Sequence, residues 1–239
     1  MMLWYKAWLE TRVRFLLSLC AIVGICAYRV LNGNTLGNRL SPDTWQYFVL
    51  QQTHNILVTL WVLTVGLLMM GGLLQEAAVG ASDFTLAFPV SRARLVMTRI
   101  GMGFAQSIAL VVTPWAVMFL IDSFVGKGNS IGNATLHVLL LATGGTVFVA
   151  WGLLVSSLVP GAYTAAAVNL GMLLAVAITM GDPPLNEWSP YRLMTGAAWV
   201  NQHTGMIDGP LHWLRLLVTI AVAASLTWVA IKAVQRKEF

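Results

Sequence analysis

Charge is scarce in this chain. Aspartate, glutamate, lysine and arginine together make 10% of its 239 residues, where a soluble domain carries about 25%, and that alone excludes an ordinary water-soluble globule. Hydrophobic residues fill the gap at 58%, and the mean hydropathy of +0.75 is that of an integral membrane protein. The formal charge of +5 is scattered over loop positions, which fits a membrane-side distribution and argues against a nucleic-acid partner. The two cysteines, Cys20 and Cys26, share one apolar block at a spacing that suits neither a zinc pair nor a redox pair. They read as core-type thiols.

Catalytic signatures are missing as well. The four histidines, His54, His137, His203 and His212, never approach the His-Glu-x-x-His spacing of a metalloprotease, and read as interfacial residues with ordinary hydrogen bonds. No Gly-x-Ser-x-Gly elbow occurs; Ser156 and Ser157 look like helix-packing or back-bonding serines. The only Gly-Lys pair, Gly126-Lys127, is followed by Gly128 and makes no phosphate loop. The chain is therefore not expected to be an enzyme, to hold a metal or to bind a cofactor of its own. Carboxylates are also missing from mid-span positions, Asp122 being the nearest to a membrane interior, and that counts against a proton-coupled carrier.

Long apolar runs are what is present. A membrane-crossing helix needs roughly 20 apolar residues, and six segments qualify, at about 15–31, 56–74, 100–121, 134–159, 162–180 and 213–231. The run after Arg14 meets Tyr28 and Arg29 with no small-residue cleavage site, so it reads as a retained span. The expectation is a single all-α, polytopic membrane domain over 1–239. Lys6, Arg12, Arg14, Arg92, Arg94, Arg99, Lys232, Arg236 and Lys237 fall on one side, against Arg29, Arg39, Lys127, Arg192 and Arg215 on the other. The richer side is taken as cytoplasmic, with both termini inside.

Details of the layout follow from local pattern. Leu3, Trp4, Ala7 and Trp8 share a helical stripe that leaves out Lys6 and Glu10, as in an amphipathic helix lying in the membrane interface; the same residues suit the aromatic flank of the first span. Pro160-Gly161 is a tight turn joining spans four and five. Residues 32–55 and 181–212 are read as long outside segments, and loops of that length have structure or a task. Inside the spans the polar groups are neutral: Gln106, Thr113, Thr143, Thr146 and Asn169. Gln106, Thr113 and Asn169 are candidates for lining a translocation path, and Asn169 equally suits an interhelical hydrogen bond. Pro114 is expected to kink the third span.

The stretch between spans two and three, "QEAAVGASDFTLAFPVSRARLVMTR", is more than a polar turn. Ser82 or Asp83 can cap a short helix through Thr85, Leu86 and Ala87, Pro89 ends it by pushing Phe88 out of helical geometry, and Ser91 can cap a restart through Arg94 and Arg99. Phe84, Leu86, Phe88 and Val90 then form an apolar knob rimmed by arginine, the shape of a helix that docks in a groove of a partner.

This segment resembles the one after the second span in type-two ABC exporter permeases, the matching positions being Glu76, Gly80, Thr85, Leu86, Pro89, Val90, Ser91 and Arg92, with Phe88 in place of the more usual leucine. The resemblance implies a cytoplasmic coupling helix seated in a separately encoded ATPase subunit, with Glu76, Asp83, Phe84, Phe88, Arg92 and Arg94 in contact. It also implies ATP and magnesium in that partner, two permease copies or paralogues around a central path, a bacterial inner-membrane location, and a partly re-entrant outside segment between spans five and six. A membrane scaffold that recruits a cytosolic partner without transport is the competing reading, and an intramembrane enzyme the third.

Overall fold

The computed structural model describes residues 2–37, 42–69, 92–125, 130–159, 188–201 and 203–236, with positions 164, 167, 168, 170 and 171 between them. Among the described residues the chain is helical, and the only strand-like pairing is an isolated antiparallel bridge between Val200 and Ile207. Five helical stretches are long and apolar enough to cross a membrane: Leu3–Gly33, Thr44–Leu68, Met97–Phe124, Ile131–Leu158 and Trp213–Arg236. The protein is thus a helical membrane protein. The segment expected as a span at 162–180 lies outside the described residues, apart from Thr164, Ala167, Val168, Leu170 and Gly171, which are helical.

Helix α1 covers Met2–Gly37. The sequence pattern led us to expect a separate interfacial helix before the first span, but no proline or glycine interrupts the chain before Gly24, and α1 runs through unbroken. At 36 residues it is longer than the roughly 20 that a bilayer core requires, so its ends carry polar groups such as Lys6 and Glu10 past the apolar stretch. Its tryptophan stripe is partly covered: Ala7 is buried and Trp8 meets Phe15 edge-on at 5.6 Å, while Trp4 is 48% exposed with one edge of its ring against Gly101.

The second membrane helix begins well before the expected Ile56. It is assembled from α2 (Pro42–Tyr47), a π-helical turn over Phe48–Thr53 and α3 (His54–Leu68). The run from 42 to 55 reads as an outside loop because of its glutamines, asparagine and histidine. Their neighbours Trp45, Val49, Leu50, Leu57, Val58 and Trp61 are nonetheless buried and recur at helical spacing. Among the polar members Thr53 Oγ1 donates to the Phe48 carbonyl at 3.0 Å, while Gln51 Oε1 and Asn55 Oδ1 have no hydrogen-bond partner among the described residues. The residues expected at 70–74 in this span lie outside the described residues.

Helix α4 (Arg92–Val125) continues through Pro114, and α5 (Ile131–Leu158) starts after an extended Ser130 and ends at an extended Val159. In α5 Ser156 and Ser157 donate to the carbonyls of Leu153 and Leu154, the back-bonding read from the sequence. A six-residue helix, α6 (Pro190–Thr195), shows why its sequence folds locally. Ser189 is extended before the proline, Pro190 supplies a preset φ at the first turn, and Gly196 closes the helix at φ +67°. Helix α7 (Trp213–Arg236) ends the described chain.

Helix α3 touches α1, α4 and α5, while α7 packs along α5 and α1 along α4. The membrane windows of α3 and α5 are 56% and 61% buried, those of α1 and α7 only 28% and 17%. The first two are therefore the centre of the bundle, and α1 and α7 present their outer faces to the apolar surroundings. Cys26 is buried in this core, whereas Cys20 is exposed on α1; both thiols are free.

Candidate functional site

The segment singled out by the sequence falls mostly outside the described residues: this holds for Glu76, Asp83, Phe84, Thr85, Leu86, Phe88, Pro89, Val90 and Ser91. Arg92 is the first residue of α4, and Arg94 is exposed on its first turn, with its carbonyl accepting from Thr98 Oγ1 at 2.8 Å.

Immediately beyond these arginines α4 is fastened to α1. Arg99 Nη2 donates to Glu10 Oε2 at 2.9 Å, and Lys6 reaches the other carboxylate oxygen of Glu10 at 3.7 Å. One to two turns on, Gln106 Nε2 donates to Thr11 Oγ1 at 2.7 Å. Gly101 gives up its side-chain volume to the indole of Trp4, whose Cη2 would lie 2.6 Å from an added Cβ. Polar, charge-assisted and steric ties at successive levels make α1 and the start of α4 one mechanical unit.

Of the proposed path residues, Gln106 is 4% exposed and holds Thr11, so its amide joins two helices. Thr113 is half-buried next to Pro114, and Asn169 lies outside the described residues. Thr143 and Thr146 instead line a cleft of about 320 Å³ with Trp61, Phe104, Ser107 and Ile220. Their hydroxyls bond to the carbonyls of Leu139 and Thr143 at 2.6 Å each, which leaves the cleft wall chiefly apolar.

At the opposite end of the bundle lies a polar centre that the sequence reading missed. Trp45 Nε1 donates to Asp122 Oδ1 at 2.8 Å, joining the start of the second membrane helix to the end of α4. Roughly two turns away along these helices, His54 meets His137 of α5, both 0% exposed, edge-on with ring centroids 4.9 Å apart, and Trp115 lies 5.5 and 5.7 Å from the two rings. His54 Nε2 is 2.9 Å from the Met194 carbonyl and His137 Nδ1 2.9 Å from that of Asn133. A carbonyl only accepts, so each of these nitrogens carries the proton. His54 Nδ1, His137 Nε2 and Trp115 Nε1 have no hydrogen-bond partner among the described residues. These histidines are thus core residues and not the interfacial ones expected. The buried stripe from Trp45 to Trp61 is a signal for the burial of His54 alone; its meeting with His137 of α5 has none in the local sequence.

The same end is closed by the chain between α6 and α7. Asn201 N donates to the Met206 carbonyl at 2.8 Å and Gly205 N to Asn201 O at 2.8 Å, forming a compact turn. Gly205 sits at φ +71°, with Tyr47 Cα only 3.0 Å from where a Cβ would stand, so a glycine is required twice over. Asn133 Oδ1 accepts from Ile207 N at 2.9 Å and fixes the turn to α5. Chemically the centre offers hydrogen-bond acceptors and donors in an apolar interior. Among the described residues no group of three His, Cys, Asp or Glu side chains is placed to hold a metal ion. Compared with known proteins, the chain matches no family model, and no curated protein is significantly similar to it.

Proposed function

We propose that this chain is the permease subunit of an ATP-driven ABC-type exporter, working with a second permease copy or paralogue and with a separately encoded ATPase that supplies ATP and magnesium. The reading places both termini in the cytoplasm of a bacterial cell and a sixth span at 162–180. It makes residues 75–91 the coupling segment, with Phe84, Leu86, Phe88 and Val90 seated in the ATPase and Glu76, Asp83, Arg92 and Arg94 at the rim of that contact. The segment around α6 would then lie at the outer leaflet.

The observation that carries the reading is the join between that segment and the bundle. Arg92 and Arg94 open α4 directly after it, and the Arg99–Glu10 and Gln106–Thr11 contacts follow within the next few turns. A displacement of residues 75–91 by a partner would therefore pass into α4 and α1 together, which is what coupling ATP hydrolysis to a path between helices requires. The test is functional. A hydrolysis-dead ATPase partner, or vanadate, abolishes the cellular role if the chain is a permease. Retention of that role under both conditions favours the scaffold.

A further inference from the structure

The second membrane helix is fastened to α4 at three levels. Trp61 Nε1 donates to the Ser107 carbonyl at 2.9 Å, the rings of His54 and Trp115 lie 5.5 Å apart, and Trp45 Nε1 donates to Asp122 Oδ1 at 2.8 Å. The partners descend in one chain as they ascend in the other, so the two helices are antiparallel along this contact. Between the first two levels the second helix uses 7 residues and α4 uses 8, but between the last two it uses 9 against 7. At a rise of about 1.5 Å per residue, two α-helices would be roughly 3 Å out of step over that last interval. The π-helical turn over Phe48–Thr53 lies inside it, and its i→i+5 bonds take an extra residue into the turn. This turn is what brings Trp45 level with Asp122.

The turn is both held and burdened. Thr53 Oγ1 donates to the Phe48 carbonyl, five residues back, at 3.0 Å. The Phe48 ring lies against Gly33 of α1, with the Arg29 guanidinium 5.4 Å from its centre. Against these ties, Gln51 Oε1 within the turn and His54 Nδ1 and Asn55 Oδ1 just after it are buried with no hydrogen-bond partner among the described residues, and each such atom counts against this form. On the facing helix Pro114, next to Trp115, has no N–H for the Leu110 carbonyl. At the same level, then, α4 is also short of a backbone bond.

The geometry points to a register switch in the second membrane helix, in which residues 48–53 exchange between the π turn and an α-helical one. Taking the extra residue into α geometry rotates residues 44–47 by about 100° and moves them about 1.5 Å along the axis, which carries the Trp45 N–H away from Asp122. The movement reaches the chain between α6 and α7. Tyr47 Cα stands 3.0 Å, and the Gln46 carbonyl oxygen 3.4 Å, from where a Cβ on Gly205 would lie, so the turn at 201–207 must yield when 44–47 rotates. The switch rests on packing within this chain and stands or falls independently of the exporter reading.

Nitroxide labels on Thr44→Cys and Phe124→Cys, two exposed positions, report the rotation by double electron–electron resonance in liposomes, with Cys20 and Cys26 replaced by alanine. A second, discrete distance is expected as a minor component. Trp45→Phe deletes the donor to Asp122 and Thr53→Val deletes the bond across the turn; each should raise the second component about tenfold relative to the main one. A control pair at the other end of the bundle, Met97→Cys with Leu158→Cys, should keep one distance throughout, which separates a switch from general loosening. Because the two substitutions act on different bonds, a rise in either folded variant supports the switch. A single distance in the parent and in the folded variants, a broadening with no second distance, or a change in the control pair overturns it.

Discussion

The indole N–H of Trp45 and the carboxylate of Asp122 meet at 2.8 Å in the interior, where Asp122 is 1% exposed. A carboxylate withdrawn from water needs donors, and leaving a buried one short of a partner costs about 1–3 kcal/mol. Trp45→Phe keeps the ring and deletes the donor. Its melting temperature, followed by size-exclusion chromatography after heating, should fall by roughly 3–10 °C; no change would show that the pair contributes nothing to stability.

Two adjacent glycines in α5 mark where neighbours press closest. A Cβ on Gly145 would run into the indole of Trp61, and one on Gly144 would lie 2.6 Å from Met194 Cγ and 3.0 Å from the Pro190 carbonyl. Trp61 is also held by its Nε1 bond to the Ser107 carbonyl at 2.9 Å, so it cannot swing away freely. Gly145→Ala and Gly144→Ala should each cost about 1–3 kcal/mol by overpacking. At Gly132 an added Cβ would meet only Ser130 Oγ, at 3.6 Å, and Gly132→Ala should stay within about 0.5 kcal/mol in the same thermal series.

Much of the bundle was legible in hydropathy alone, because a bilayer leaves a chain few choices besides apolar helices. The start of the second membrane helix was not. Gln51, Thr53 and His54 look like loop residues to a hydropathy scan, yet a helix that faces a polar centre hides them. His54 and His137 are far apart in the chain and meet only once α3 and α5 pack, so no local spacing could announce them. The extent of α1 was misjudged for the opposite reason: an amphipathic stripe looks the same whether it faces lipid headgroups or another helix, and here one edge of it touches α4 at Gly101 while Trp4 stays 48% exposed.

The packing of α1 on α4 has its own check. An exposed ion pair is worth about 0–1 kcal/mol, so Arg99→Gln should barely move the melting temperature. Glu10→Arg should cost more, since it sets a cation against both Arg99 and Lys6. Adding Arg99→Glu should recover part of that loss, with a coupling of about 0.5–1 kcal/mol in the double-mutant cycle. Simple additivity of the two changes would mean that the helices do not meet here.

Orientation is measurable with an impermeant thiol reagent on intact cells. With Cys20 and Cys26 first replaced by alanine, a cysteine at Gly128 or Asn186 should label from outside. One at Ala93, in the first turn of α4, should label only after permeabilisation. Labelling of Ala93→Cys from outside would invert the assignment of sides.

The most direct measurement of the central claim is the company this chain keeps. Tagged and extracted in mild detergent, the unmodified protein should bring down a nucleotide-binding subunit with a phosphate-binding loop and ATPase activity. Phe88→Ala with Arg92→Ala should lose that subunit while the protein still inserts in the membrane. Recovery of no ATPase with the unmodified protein, or equal recovery with the double variant, would contradict the account.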